Sequence, residues 1–272
     1  MSVRVYIGSG TSKNGAPLLV EELSRHLDMD VAGINEHEMR ASDAWLKNTS
    51  VLVFAGQSVG RFKEALGEEI MAKIKVGVHE GAFDYIGICA GAAFASAKIK
   101  YRMKPVNPDK DIVIRNTGLS MFNGLASGPC RSVSPLPFSG GSENLKLITL
   151  LDTVHYKPYN VFHWGGPALI PMEPIPASMG RTLSILKSDG TPMSLNVQFG
   201  AGRITLCSFH PEIHAGNIHR WAETRFLPDE EAQRLQQLAS KLDGTAFVRF
   251  LGDAGLAGST AIKKEAAPAA SL

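Results

Sequence analysis

The stretch Tyr85-Ile86-Gly87-Ile88-Cys89-Ala90-Gly91-Ala92-Ala93-Phe94 constrains this chain more than any other. An apolar run suited to a buried strand ends at Cys89, and small, helix-favouring residues follow. A strand that becomes a helix within one residue must bend sharply. Gly87 and Gly91 flank the bend, where larger side chains would collide. Cys89 falls at that bend, where a strained backbone geometry is one expectation, and the amides opening the following helix are expected to point toward its sulfur, which favours negative charge there. The stretch reads as a nucleophile elbow. The competing reading is a buried cysteine at the end of a core strand, a common place for a free thiol.

A cysteine nucleophile needs a base, and the base needs an orienting group. The run Ile204-Thr205-Leu206-Cys207-Ser208-Phe209 reads as a strand that delivers His210-Pro211-Glu212. If this strand and the one ending at Cys89 are parallel members of one sheet, both residues reach the same edge. Pro211 restricts the backbone, so Glu212 can curl back to the far ring nitrogen of His210. A local surface pair of His210 and Glu212 is the plainer alternative. Acyl chemistry also needs an oxyanion hole. The candidate donors are the N–H of Ala90 and an N–H in the loop at Gly56 and Gln57. Gln57 reads equally as a side-chain donor or a surface residue. Trp164-Gly165-Gly166 reads as a rigid turn that lines the mouth of the pocket or simply packs. His214 and His219 follow His210 at loose spacing with no completing ligands, so no metal is expected, and no cofactor is called for.

Along the chain, strands are expected at Val3 to Ile7, Met29 to Ile34, Ser50 to Phe54 and Phe83 to Ile88. Helices are expected over Pro17 to Leu27, Val59 to Ile74 and Ala90 to Lys98, with a short turn or helix from Asp43. Gly8-Ser9-Gly10-Thr11-Ser12 reads as a connection or, less simply, an anion cradle. His79 reads as an exposed turn residue. This alternation predicts an α/β fold, a three-layer flavodoxin-like sandwich with a mostly parallel central sheet and extra β elements in the middle region. In that middle region, strands are expected near Ile112 to Ile114, Leu145 to Leu150 and Asn160 to Trp164. Met121 to Gly124 and Gly128-Pro129-Cys130 read as turns. Later strands fall at Arg181 to Lys187, Met193 to Phe199 and Arg203 to Ser208, and helices at Asn217 to Arg225, Asp229 to Leu242 and around Phe247. The chain reads as a single domain over residues 1–252, with a disordered tail over 253–272.

The 28 basic and 26 acidic residues are spread without long blocks, giving a net charge of +2. This argues against a nucleic-acid footprint or a polybasic membrane patch. Cys89, Cys130 and Cys207 are odd in number and widely spaced, which fits a reducing compartment rather than a disulfide-stapled secreted fold. Neither a leader nor a run long enough to span a bilayer is read, so a cytoplasmic location is expected.

These residues resemble a known family. Gly87-Ile88-Cys89-Ala90-Gly91 with a distant His210-Pro211-Glu212 is similar to the class I glutamine amidotransferase superfamily. The longer run from Tyr85 to Ser96, with Val3-Arg4-Val5-Tyr6, Trp45 before Val51-Leu52-Val53-Phe54, Gly128-Pro129 and Phe162-His163-Trp164-Gly165-Gly166, resembles the amidotransferase-like N-terminal domain of biotin–protein ligases, and a standalone protein of that kind is expected. The resemblance implies Cys89 as nucleophile, His210 as base and Glu212 as third member of a triad. The cysteine chemistry calls for a small-molecule amide or acyl substrate; the resemblance does not supply which one, and no residue names a protein partner. The sequence departs from the family's usual Pro-Gly-Gly loop at Ala55-Gly56-Gln57. It carries no Gly-Arg-Gly-rich biotin-binding motif, so biotin ligation is not expected. The alternative is a catalytically inactive amidotransferase-like binding or regulatory domain. Peptidase or deglycase activity, known elsewhere in the wider fold, is a third reading.

Overall fold

In a computed structural model, residues 2–12, 15–103, 112–114, 116–139, 144–223 and 229–256 are described. The first half alternates as the sequence expects, with one further short helix at residues 36–41. Strands β1 (Ser2–Tyr6), β2 (Asp30–Ile34), β3 (Val51–Phe54) and β4 (Asp84–Ile88) are joined through helices α1 (Gly15–His26), α2 (Glu36–Ala41), α3 (Ala44–Asn48) and α4 (Val59–His79). Helix α5 (Ala90–Ala95) follows Cys89. Strands β5 (Ser96–Tyr101), β6 (Ile112–Ile114), β7 (Phe122–Gly128), β8 (Leu145–Asp152), β9 (Pro158–Trp164) and β10 (Ala168–Pro171) form the middle region. Then come β11 (Gly180–Leu186), β12 (Pro192–Phe199), β13 (Gly202–Cys207), α6 (Ile218–Glu223), α7 (Asp229–Ala239) and α8 (Ala246–Asp253).

The central sheet has nine strands in the order β2-β1-β3-β4-β13-β12-β11-β8-β9. From β2 to β13 every pairing is parallel. From β13 outward to β9 every pairing is antiparallel. A second sheet of four strands, β10-β7-β5-β6, supplies the extra β elements. The α/β sandwich is thus a flavodoxin-like parallel unit extended by hairpins.

Period-two alternation builds the layers. Val3, Val5, Val51, Val53, Ile86 and Ile88 face one side, against Leu19 and Leu23 of α1 and Phe247, Phe250 and Leu251 of α8. Tyr6, Leu52, Phe54 and Tyr85 face the other, against Phe62, Leu66, Ile70 and Ile74 of α4 and Phe94 of α5. Phe54 stacks between Tyr6 at 4.7 Å and Tyr85 at 5.7 Å. Burying each such ring contributes roughly 1.5–3 kcal/mol, so the parallel strands nearest the site are well anchored.

Several expectations are corrected. The helix expected over Ala90 to Lys98 stops at Ala95, and Ser96 opens β5, which pairs with β7 in parallel. Strand pairing overrides the helical bias of the alanine run. Met121 to Gly124 does not turn: Phe122 to Gly128 is a strand with alternating burial, whose Gly, Asn and Ser content hides the β signal. Gly124 is needed there, because an added Cβ would lie 2.2 Å from the Phe122 ring and 2.9 Å from the Ile170 carbonyl oxygen. Helix α4 runs on to His79, which ends a helix rather than sitting in a turn; the residue is exposed as expected, and its ring packs on Phe199 at 5.4 Å. At the chain's end Asp253 closes α8, and Ala254 and Leu256 are buried. The remainder of the expected tail, 257–272, lies outside the described residues, as do 224 and 225 of the expected helix from Asn217.

Candidate active site

Cys89 occupies the bend between β4 and α5 with φ 54° and ψ −108°. Residues other than glycine rarely adopt that backbone conformation, which costs roughly 1–3 kcal/mol and persists only where the surroundings impose it. The Cys89 N–H donates to the Cys207 carbonyl at 2.8 Å, and the Cys89 carbonyl accepts from Ala92 and Ala93 at 3.1 and 3.2 Å. A Cβ on Gly91 would lie 2.0 Å from the Phe54 carbonyl oxygen, and one on Gly87 would lie 2.6 Å from the Gly91 oxygen. The glycines flanking the cysteine therefore let α5 sit directly on the ends of β3 and β4. Cys89 is partly exposed, while Cys130 and Cys207 are buried. Burial pushes both of those thiols up, Cys207 furthest.

Strand β13 lies beside β4, with Cys207 paired to Ile88. The two strands are parallel, so Cys89 and His210 leave the same edge. The His210 N–H donates to the Phe162 carbonyl at 2.8 Å, which ties the segment after β13 to β9. His210 Nδ1 lies 2.7 Å from Glu212 Oε1, and both residues are buried. A carboxylate only accepts, so Nδ1 carries the proton and Nε2 is the nitrogen left for chemistry. Nε2 and Glu212 Oε2 have no hydrogen-bond partner among the described residues. Burial opposes charge on this ring, but the Glu212 carboxylate and the Cys89 sulfur outweigh it and push His210 up to about 10. Asn217 Nδ2 donates to the Glu212 carbonyl at 2.8 Å and holds the turn that returns the carboxylate to the ring.

A pH dependence follows from this charged ring. The folded ring holds its proton more tightly than the unfolded one. Its contribution to stability is therefore complete below about pH 6.5 and is lost as pH rises toward about 10. Glu212, Cys89 and the neutral His163 are the titratable groups acting on it. Exchange of His210 for asparagine is expected to flatten the unfolding free energy across that interval, measured by urea denaturation at a series of pH values. Equal slopes in the two proteins would count against a protonated ring.

Gly56 lies against the elbow. A Cβ there would be 2.9 Å from Cys89 Cβ, 3.2 Å from Sγ and 3.4 Å from the Ala90 nitrogen. The Gly56 backbone and the Ala90 N–H thus border one small space beside the sulfur. Gln57 is exposed, and its backbone bridges to Thr11. The Gly8–Ser12 loop does cradle an anion, an internal one: the Glu36 carboxylate accepts from the Ser9 N–H at 3.2 Å and the Ser9 hydroxyl at 2.8 Å.

The Trp164 turn is also at the site, in three different ways. The Trp164 carbonyl oxygen is 3.8 Å from Cys89 Sγ. The Gly165 carbonyl accepts from the Tyr101 hydroxyl. Gly166 packs on the Ser208 backbone, where an added Cβ would be 1.7 Å from the carbonyl oxygen. The Trp164 indole stands among Phe138 at 5.7 Å, Trp221 at 5.5 Å and the His210 ring at 6.4 Å. Sequence reasoning assigned no role to Tyr101, Phe138 or Trp221, which carry no local motif. It read His163 only as part of the 162–166 run and gave it no role of its own. That ring is fully buried, Nε2–H donates to the Gly166 carbonyl at 3.0 Å, and burial lowers it to about 4, so it stays neutral beside His210. A histidine in the apolar run of β9 was the available signal.

Among the described residues no group of His, Cys, Asp or Glu is arranged to hold a metal ion. No described helix is long and apolar enough to cross a membrane. A 790 Å³ groove beside Asp84 and Arg203 lies at the opposite ends of β4 and β13, and a 250 Å³ cavity lies behind Pro211; neither is lined by Cys89.

Comparison with known proteins agrees with this frame. Two solved glutamine amidotransferases share the fold. One superposes with a TM-score of 0.51 at 16% identity, covering 88% of this chain and 98% of its own. The other, from Thermotoga maritima, gives 0.52 at 13% identity, covering 95% and 99%. The biotin–protein ligase of Schizosaccharomyces pombe is 26% identical over 226 residues, which is 79% of this chain and 34% of that protein. An uncharacterized protein of Chlamydia muridarum is 30% identical over 101 residues, 37% of each chain. This chain thus spans about a third of the length of these curated relatives. The model of the family described as biotin-protein ligase, N terminal, matches residues 1–267. With that match over nearly its whole length, and the class I amidotransferase-like fold beneath it, the chain belongs to the biotin-protein ligase N-terminal family.

Proposed function

We propose that this chain is a cysteine-dependent amide hydrolase of the amidotransferase-like type, with Cys89 as nucleophile, His210 as acid and base, and Glu212 as the group that orients His210. The observation that carries the reading is the partly exposed Cys89 at φ 54°, on the same sheet edge as a histidine with Nδ1 held by a carboxylate and Nε2 unpaired. In the proposed reaction the Cys89 sulfur attacks the acyl carbon of a small-molecule amide. The oxyanion is met by the N–H of Ala90 and an N–H of the Gly56–Gln57 loop. The C–N bond breaks as His210 gives its Nε2 proton to the leaving amine. Water then loses a proton to His210, attacks the thioester, and releases the acid with the thiol restored. Trp164, Gly165 and Gly166 border the acyl group. Three free cysteines fit a reducing, cytoplasmic setting.

The test is competitive thiol labelling. Iodoacetamide is expected to modify Cys89 at least about tenfold faster than Cys130 or Cys207, because burial raises both competitors. A panel of small amides, glutamine included, should contain a member that protects Cys89. Equal labelling of the three cysteines would sink the reading. The second reading, an inactive binding domain on the same scaffold, is favoured by Ala55-Gly56-Gln57 standing in place of Pro-Gly-Gly. Protection by an amide without its turnover would select it.

A further inference from the structure

Glu36 is the first residue of α2 and is only 7% exposed. Its carboxylate accepts from the Tyr6 hydroxyl at 2.9 Å, the Ser9 hydroxyl at 2.8 Å and the Ser9 N–H at 3.2 Å. Gly8 leaves the room: a Cβ there would lie 1.8 Å from Glu36 Oε2. Connecting β1 to α1 does not require this. A buried carboxylate costs desolvation that a neutral acceptor would avoid.

What the clamped loop touches next suggests a purpose. Strands β1 and β3 are parallel neighbours, so the loops that follow them leave the same sheet edge. Gly10 accepts from the Ser58 N–H at 3.0 Å, and Thr11 forms an antiparallel bridge with Gln57. The Thr11 hydroxyl closes the turn onto the Gly8 carbonyl at 2.7 Å. The contacts therefore run without a gap from Glu36 through Ser9, Gly10 and Thr11 to Gln57 and Ser58. Gly56, next in line, lies against Cys89 and the Ala90 nitrogen.

We propose that Glu36 is a positioning residue for the oxyanion-binding loop: it clamps the 8–12 loop, which holds Gly56, Gln57 and Ser58 against Cys89 and Ala90. The inference rests on Cys89 being an acyl-transferring nucleophile. The 8–12 loop then substitutes for the stiffness that a proline at position 55 would supply.

Glu36→Gln keeps the shape but sets an amide N–H₂ among hydrogen-bond donors. Tyr6→Phe keeps the ring on Phe54 and removes one donor to Glu36. In both full-length variants, amide hydrogen exchange at Gly56, Gln57 and Ser58 is expected to quicken about tenfold or more, with Val53 in β3 unchanged. Acylation of Cys89 by p-nitrophenyl acetate, which passes through an oxyanion, should slow by about tenfold or more. Alkylation by iodoacetamide has no oxyanion and should stay within about twofold. Unchanged exchange at 56–58, faster exchange without slower acylation, or equal losses of acylation and alkylation would each overturn the proposal. If the unaltered protein is alkylated but never acylated, the enzyme reading falls instead, and exchange alone decides whether Glu36 clamps the loop.

Discussion

Exchange of Cys89 for alanine is expected to lower amide turnover by about four orders of magnitude or more, since no other partly exposed thiol is present to form the acyl intermediate. Exchange for glycine should be equally inactive but more stable than the alanine variant. Both lose the sulfur and its effect on His210, so the comparison isolates the backbone. At φ 54° and ψ −108° the alanine retains the strain. Glycine relieves roughly 1–3 kcal/mol of it, against roughly 0.5–1 kcal/mol of added unfolded-state entropy. A net gain of about 1 kcal/mol corresponds to a melting temperature about 2–4 °C higher for a domain of this size. Thermal unfolding of the two variants measures it. A glycine variant no more stable than the alanine one would mean that the bend stores no strain. Retained turnover in either would remove Cys89 from the chemistry.

Gly56→Ala is expected to lower turnover by about two to three orders of magnitude, the loss typical of one oxyanion donor. The new Cβ would meet Cys89 Cβ at 2.9 Å and approach the Ala90 nitrogen at 3.4 Å. Neither atom is the far end of a flexible side chain, so the loop and the elbow must move apart. A separation of tenths of an ångström is enough to spoil hydrogen bonds to a developing oxyanion. Gly56 has no positive φ among the glycines of the chain, so the backbone itself accepts alanine, and the fold should tolerate the change. The measurement is turnover beside the alkylation rate. Unimpaired turnover would place the oxyanion elsewhere.

Much of the frame was legible in the sequence, because the parallel strands are short apolar runs ending in glycine-rich loops. The bend at Cys89 was legible for the same reason: Gly87, Cys89 and Gly91 mark a tight strand-to-helix turn, although the atom Gly91 makes room for, the Phe54 carbonyl oxygen, is distant in the chain. The middle region was less legible. The run Phe122 to Gly128 reads as turn by composition and becomes a strand because β5 and β10 pair with it. The alanine run after Cys89 reads as a longer helix, yet the same pairing draws Ser96 onward into β5. At the site, Tyr101, Phe138 and Trp221 belong to no motif, and their places depend on how separate elements pack; His163 lies in the 162–166 run, but its burial beside His210 is set by the same packing.

By itself the sequence determined the strands β1 to β4 and β11 to β13, the bend at Cys89 and the spacing of His210 from Glu212, since each depends mainly on neighbours within a few residues. Only the tertiary structure decided what these pieces meet. It set β13 beside β4, so that residues 89 and 210 share an edge. It also set the 8–12 loop against the loop at Gly56, and aimed Glu36 into it. Those contacts join segments with no periodicity or motif in common, and only packing and hydrogen-bond satisfaction in the folded chain select them.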